Sequence, residues 1–88
     1  MVTVNDSENK LSKVQWRCKR GMLELDLMLK DFCDKVYLSL SPEKQQIFEQ
    51  LLECEDQDLQ RWLVGTEPTP NPKFQDMILV IRHMHAMA

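Results

Sequence analysis

The stretch RCKRGMLELDLMLKDF, residues 17–32, decides the fold. From Leu23 to Leu29 apolar and polar residues alternate, the pattern of a half-buried strand. Such a strand has no partner here. No other stretch alternates comparably, and a lone apolar strand leaves its edge and backbone groups unpaired. Leucine, methionine, glutamate and lysine also propagate helices better than they fill sheets. The segment therefore reads as a helix, with Leu25, Leu29, Phe32 and Val36 on its inward stripe. Leu23 and Leu27 add a second flank that widens the buried arc, so the segment becomes a central helix touching neighbours on two sides.

Working outward, a first helix is expected from near Ser7 or Asn9 toward Lys19, because Leu11, Val14 and Cys18 recur at spacings of three and four. After the central helix, Ser41 supplies an N-cap oxygen and Pro42 takes the first helical position, where its missing donor costs nothing. Ile47, Phe48, Leu51 and Leu52 form the inward face of that third helix. Asp56 is the expected N-cap of a short fourth one, with Leu59, Trp62 and Leu63 buried and Gly65 closing it at its C-terminal end. The loop GTEPTPNP, residues 65–72, leads through an Asn71-Pro72 cap into a last helix carrying Phe74, Met77, Ile78 and Ile81. The expectation is an all-α, compact single-domain bundle of about five short helices. One domain spans residues 1–88, with residues 1–8 and 83–88 as frayed tails.

A chain of 88 residues can hide roughly 60–65% of its unfolded surface, enough for one core but not for a deep substrate cavity. With 43% hydrophobic and 28% charged residues and two glycines, it is globular in composition and lacks the polar bias of disorder. The net charge of −3 is unevenly shared. Lys10, Lys13, Arg17, Lys19 and Arg20 fall in one run without an acid, whereas Glu43, Glu49, Glu53, Glu55, Asp56 and Asp58 face only Lys44. Such an asymmetric field can orient a partner. Three cysteines, Cys18, Cys33 and Cys54, lack C-x-x-C pairing and read as reduced core thiols. No presequence pattern is visible, and nothing approaches the ~20 apolar residues of a membrane span, so a soluble cytoplasmic protein is expected.

Catalytic chemistry finds little footing. The two histidines, His83 and His85, sit at a terminus, which leaves no Ser/His or Cys/His pair on a preformed wall. Cys54 with His83 and His85 matches no zinc spacing. Two isolated glycines cannot cradle a phosphate. A helix-turn-helix DNA reader is disfavoured by the acidic Asp56–Asp58 region and by the lack of a base-reading Arg, Asn or Gln cluster. What remains is Gly21 between Arg20 and Glu24. Glycine inside a helix costs ~1 kcal/mol relative to alanine, so something other than helix stability explains it. Either it is a kink or C-cap between the first two helices, or its bare backbone lets a partner or ligand approach, with Arg20 and Glu24 flanking the contact. A cation four residues before an acid is the poorer order for a helical pair, which suggests an outward purpose: a guanidinium fork for a carboxylate or phosphate, and a carboxylate acceptor.

The segment from Trp16 to Asp26, with Arg20, Gly21 and Glu24 forming R-G-x-x-E, resembles the bacterial SdhE family, as does Leu51 to Leu63 with its L-L-x-x-x-D-x-D-L-x-x-W-L pattern. The likeness spans roughly residues 10 to 82. The first motif is short; joined to the second at the expected distance, it is specific. Lys19 stands where many relatives carry arginine. The resemblance implies a five-helix assembly factor, not itself an enzyme. Such a factor binds the flavoprotein subunit of succinate dehydrogenase, or in some bacteria fumarate reductase, and promotes covalent attachment of FAD to a histidine of that subunit. It also implies that Arg20, Gly21 and Glu24 carry the partner-binding face, with Arg17, Met22 and Asp26 matching the wider pattern. The expectation is that no cofactor is held stably and that the factor acts on the FAD of its partner as a monomer, without nucleic acid, metal or membrane insertion. Members of the family have also been described as antitoxins of a membrane-associated toxin, which gives the alternative reading of a toxin-neutralising module.

Overall fold

A computed structural model describes residues 6–87, with side chains from Lys10 onward. Within them lie five α-helices and no strand: α1 (Asp6–Arg17), α2 (Leu23–Val36), α3 (Pro42–Leu51), α4 (Asp56–Leu59) and α5 (Pro72–Met87). A 3₁₀ turn, Tyr37–Ser39, follows α2, and α4 runs directly into a π-helical turn, Gln60–Val64. α2 is the hub, packing against α1, α5 and the π turn, while α3 packs against α5.

The deciding stretch is a helix from Leu23 onward, but its leucines divide differently from the expectation. Leu25, Met28, Leu29, Phe32 and Cys33 are buried at i, i+3, i+4, i+7 and i+8. Leu23 is 78% exposed and Leu27 45%. A two-residue step on a helix rotates a side chain by about 200°, so alternate leucines cannot share a face. With Leu25 and Leu29 inward, Leu23 and Leu27 point to solvent and do not widen the buried arc.

The remaining core follows from the inward stripes of the other helices. Val14 and Cys18 from α1 and its exit, Phe48, Leu51 and Leu52 from α3 and its end, Leu59, Trp62 and Leu63, and Phe74, Met77, Ile78 and Ile81 from α5 are all buried. Phe48 is the aromatic hinge of the cluster, 5.2 Å from Phe32 and 5.9 Å from Tyr37, centroid to centroid. Tyr37 is fully buried, yet its hydroxyl donates to Glu49 Oε2 at 2.7 Å. Burial first, and then that carboxylate, push its phenol well above the ordinary tyrosine range.

Helix ends agree with the sequence in two places and depart from it in three others. Ser41 Oγ accepts from the Lys44 amide at 3.3 Å, and Asn71 Oδ1 from the Lys73 amide at 2.9 Å, as their cap positions predict. Asp56, the expected N-cap of α4, is instead its first helical residue. The cap position belongs to Glu55, which makes no side-chain cap bond, while the Asp56 carboxylate lies against Arg20. Gly65 ends the π turn without a left-handed backbone: its φ is −77° and its amide donates to Gln60 O, five residues back. A Cβ there would lie 2.7 Å from Arg61 O, so glycine answers a close backbone approach. At the far end, α5 continues as helix through Met87, where the sequence suggested fraying from residue 83.

Candidate partner-binding surface

The α1–α2 junction is built around one carboxylate. α1 closes with tightened bonds from the Cys18 and Lys19 amides to Gln15 O and Trp16 O, each 3.2 Å. Gly21 then takes φ +83°, and it is the one residue with positive φ among those described. That turn aims three successive amides at Asp26: Arg20 N and Met22 N reach Oδ1 at 2.9 and 3.4 Å, and Gly21 N reaches Oδ2 at 3.1 Å. Successive N–H groups bent this way form an anion-binding nest, and here the anion is the chain's own. Met22 sits half-buried against the core, in extended conformation as the N-cap residue of α2. A Cβ placed on Gly21 would meet nothing within 4 Å. Glycine is needed for its backbone conformation, and the space above it is open.

Arg20 does not present an outward fork. Its side chain is 16% exposed and turned into the corner between α3 and α4. Nη2 donates to Leu52 O at 2.8 Å and Cys54 O at 2.7 Å, Nη1 to Arg17 O at 3.1 Å, and Nε lies 2.9 Å from Asp56 Oδ1. Leu52 and Cys54 carry carbonyls left over at the end of α3, where a cation satisfies both hydrogen bonding and the helix dipole. Arg17 joins it, Nη2 donating to Glu49 O at 3.1 Å with Glu53 Oε1 at 4.0 Å. Lys10 lies 3.6 Å from Glu49 Oε2. Much of the charge asymmetry read from the sequence is therefore neutralised within the fold.

Glu24 does face outward. As the second residue of α2 it carries its charge where the helix dipole favours it, and Oε1 lies 2.8 Å from His85 Nε2 in the last turn of α5. Two apolar side chains of this region are exposed: Leu23, next to Glu24 in the chain, and on α1 Trp16, 71% exposed with Lys19 Nζ 4.8 Å above its ring. The 200° step between alternate residues of α2 was the available signal for Leu23. On one side of the junction α1 and α2 enclose a groove of about 430 Å³ lined by Gln15, Trp16, Lys19, Asp26 and Lys30. On the other, Glu24 forms part of the wall of a cleft with Met28, Leu63, Arg82, His83 and His85.

The six residues singled out by the motif thus separate into two groups. Gly21 and Glu24 lie on the open surface, while Arg17, Arg20, Met22 and Asp26 hold the junction that presents them. Cys18 and Cys33 are buried and free, and Cys54 is half-buried. Contact with the Cys33 thiol and burial raise the Cys18 thiol far above its ordinary range, and burial raises Cys54. Among the described residues no group of three or more His, Cys, Asp and Glu side chains is placed to hold a metal, and no helix is long and apolar enough to cross a membrane.

Comparison with known proteins agrees with the motif. Residues 12–85 match the family described as "Flavinator of succinate dehydrogenase". The chain is 44% identical over 72 residues to the FAD assembly factor SdhE of Shewanella oneidensis, covering 82% of this chain and 88% of that protein. It is 36% identical over 81 residues to that of Idiomarina loihiensis, covering 89% and 90%, and 38% identical over 72 residues to that of Coxiella burnetii, covering 82% and 88%. The chain belongs to the succinate dehydrogenase flavinator family, the SdhE family whose motifs it carries.

Proposed function

We propose that this protein is an assembly factor that binds the flavoprotein subunit of succinate dehydrogenase and promotes covalent attachment of FAD to it, with fumarate reductase as a second client class. The observation that carries the reading is the pairing of an open, left-handed Gly21 with an outward Glu24, in a chain whose relatives are named FAD assembly factors. The bare backbone at Gly21 lets a partner surface come close, and Glu24 accepts a donor across the contact. The bond-forming groups belong to flavin and flavoprotein. The factor acts by holding its client in the geometry where histidine and flavin meet, which can supply a large part of a barrier without chemistry of its own. It keeps no flavin, works in the cytoplasm as a monomer, and leaves after the attachment.

The test pairs stability with function. Glu24→Ala is expected to fold normally and to leave the flavoprotein without covalent flavin, read as in-gel fluorescence. Gly21→Arg should do the same with a modest loss of stability, since the space is open but the backbone conformation disfavours a side chain. Normal flavin fluorescence with both variants overturns the site.

A further inference from the structure

We propose that His85 is a positioning residue for Glu24: the end of α5 fixes the carboxylate in the orientation a partner takes up. The inference rests on the reading of Glu24 as a partner contact. Glu24 and His85 are 61 residues apart in sequence, yet their side chains meet at 2.8 Å. The other ring nitrogen, Nδ1, is shut off from solvent and has no hydrogen-bond partner. A proton on Nδ1 would be stranded, so the neutral ring carries its proton on Nε2 and donates it to Glu24 Oε1. Arg82 and His83 line the same cleft from α5, while Leu63 and Val64 close it from the π turn and bring no charge.

An exposed glutamate has three rotatable bonds, and a partner that uses it must freeze them, at a cost of roughly two- to tenfold in affinity for one such side chain. A directed bond to Oε1 freezes the carboxylate beforehand. Oε2 has no hydrogen bond among the described residues and is left for a donor on the partner. In the last helical turn Met84 still packs against the core, which anchors the turn that brings His85 to Glu24.

Binding of the purified flavoprotein subunit to the full chain, by calorimetric titration with melting curves alongside, tests the proposal. His85→Leu is expected to weaken binding roughly three- to tenfold with little change in melting, and His85→Gln, which keeps an N–H within reach, to restore most of it. Adding His85→Leu to Glu24→Ala should cost nothing further, because the two act as a unit. Wild-type or tighter binding by His85→Leu, or failure of His85→Gln to recover, overturns the positioning role while leaving Glu24 as a contact. Wild-type binding by Glu24→Ala overturns both.

Discussion

Replacing Arg20 by alanine separates two meanings of the R-G-x-x-E motif. If the guanidinium serves the fold, its removal strands the carbonyls of Arg17, Leu52 and Cys54 and leaves Asp56 without its cation. A hydrogen bond to a charged group contributes about 1.5–3 kcal/mol, but three bonds to one guanidinium are not additive. The corner is also partly open, Cys54 being half-buried, so some carbonyls regain water. A loss of about 2–4 kcal/mol follows, a large share of the ~4–13 kcal/mol expected for a domain this size. At about 4–8 °C per kcal/mol, the melting midpoint should fall by roughly 8–32 °C. Arg20→Lys keeps a cation but cannot span the carbonyls and Asp56 together, and should lie between the two. The assay is thermal and urea unfolding followed by circular dichroism, with flavin attachment measured at a temperature where both variants remain folded. A midpoint within ~3 °C of the parent, with flavin attachment abolished, would refute the inward role and restore the guanidinium as a direct contact.

The two glycines should fail for different reasons. Gly21→Ala is expected to cost about 1–2 kcal/mol through its backbone angle, with Gly21→Asn milder because asparagine tolerates that region. Gly65→Ala should cost about 1–3 kcal/mol through the clash with Arg61 O, with asparagine no better. The single tyrosine can be isolated at alkaline pH by comparison with its phenylalanine variant, since the raised Cys18 and Cys54 thiols are common to both. The folded phenol holds its proton to higher pH than the unfolded one, so stability is full below the unfolded value near 10 and falls as pH rises past it. Tyr37→Phe should flatten that limb in urea titrations between roughly pH 9 and 11. At the acid end, the hydrogen bond from Lys30 holds the Asp34 carboxyl below its ordinary value, with Gln15 assisting. That contribution is present above the unfolded value near 3.9 and disappears as pH falls through the folded one. Asp34→Asn should remove it, with the difference fading in high salt because the pair is exposed.

Local features were legible where one residue decides them. Ser41, Pro42, Asn71 and Pro72 set helix starts through their own side chains, and the stripes of α3 and α5 follow from spacing alone. What was not legible depended on a second segment arriving from elsewhere. Asp56 has cap chemistry, but its carboxylate lies against Arg20, which reaches across from the α1–α2 junction. Gly65 looks like a left-handed helix stop, yet the π turn before it changes which carbonyl its amide meets. Leu23 and Leu27 differ from the expected second flank for another reason: each stands two residues from an inward leucine, and on a helix that spacing alternates faces. For the candidate site, Gly21 and Glu24 could be picked out as an exception in a helix-rich stretch. The ring of His85 could not, because 61 residues separate it from Glu24.

The same geometry bears on how variants in the motif should be interpreted. Glu24 and Asp26 are two residues apart on one helix, so a rotation of about 200° sends one carboxylate outward and the other back under the α1–α2 junction. Asp26 gathers three amides and Arg20 three carbonyls, and together they fix the left-handed turn that leaves Gly21 bare. A motif of this kind contains a frame and the surface that the frame presents. Loss of activity on substituting a frame residue says nothing about contact until stability has been measured. Loss at Gly21 or Glu24 with the fold intact does speak to contact, because neither side of that surface carries the core.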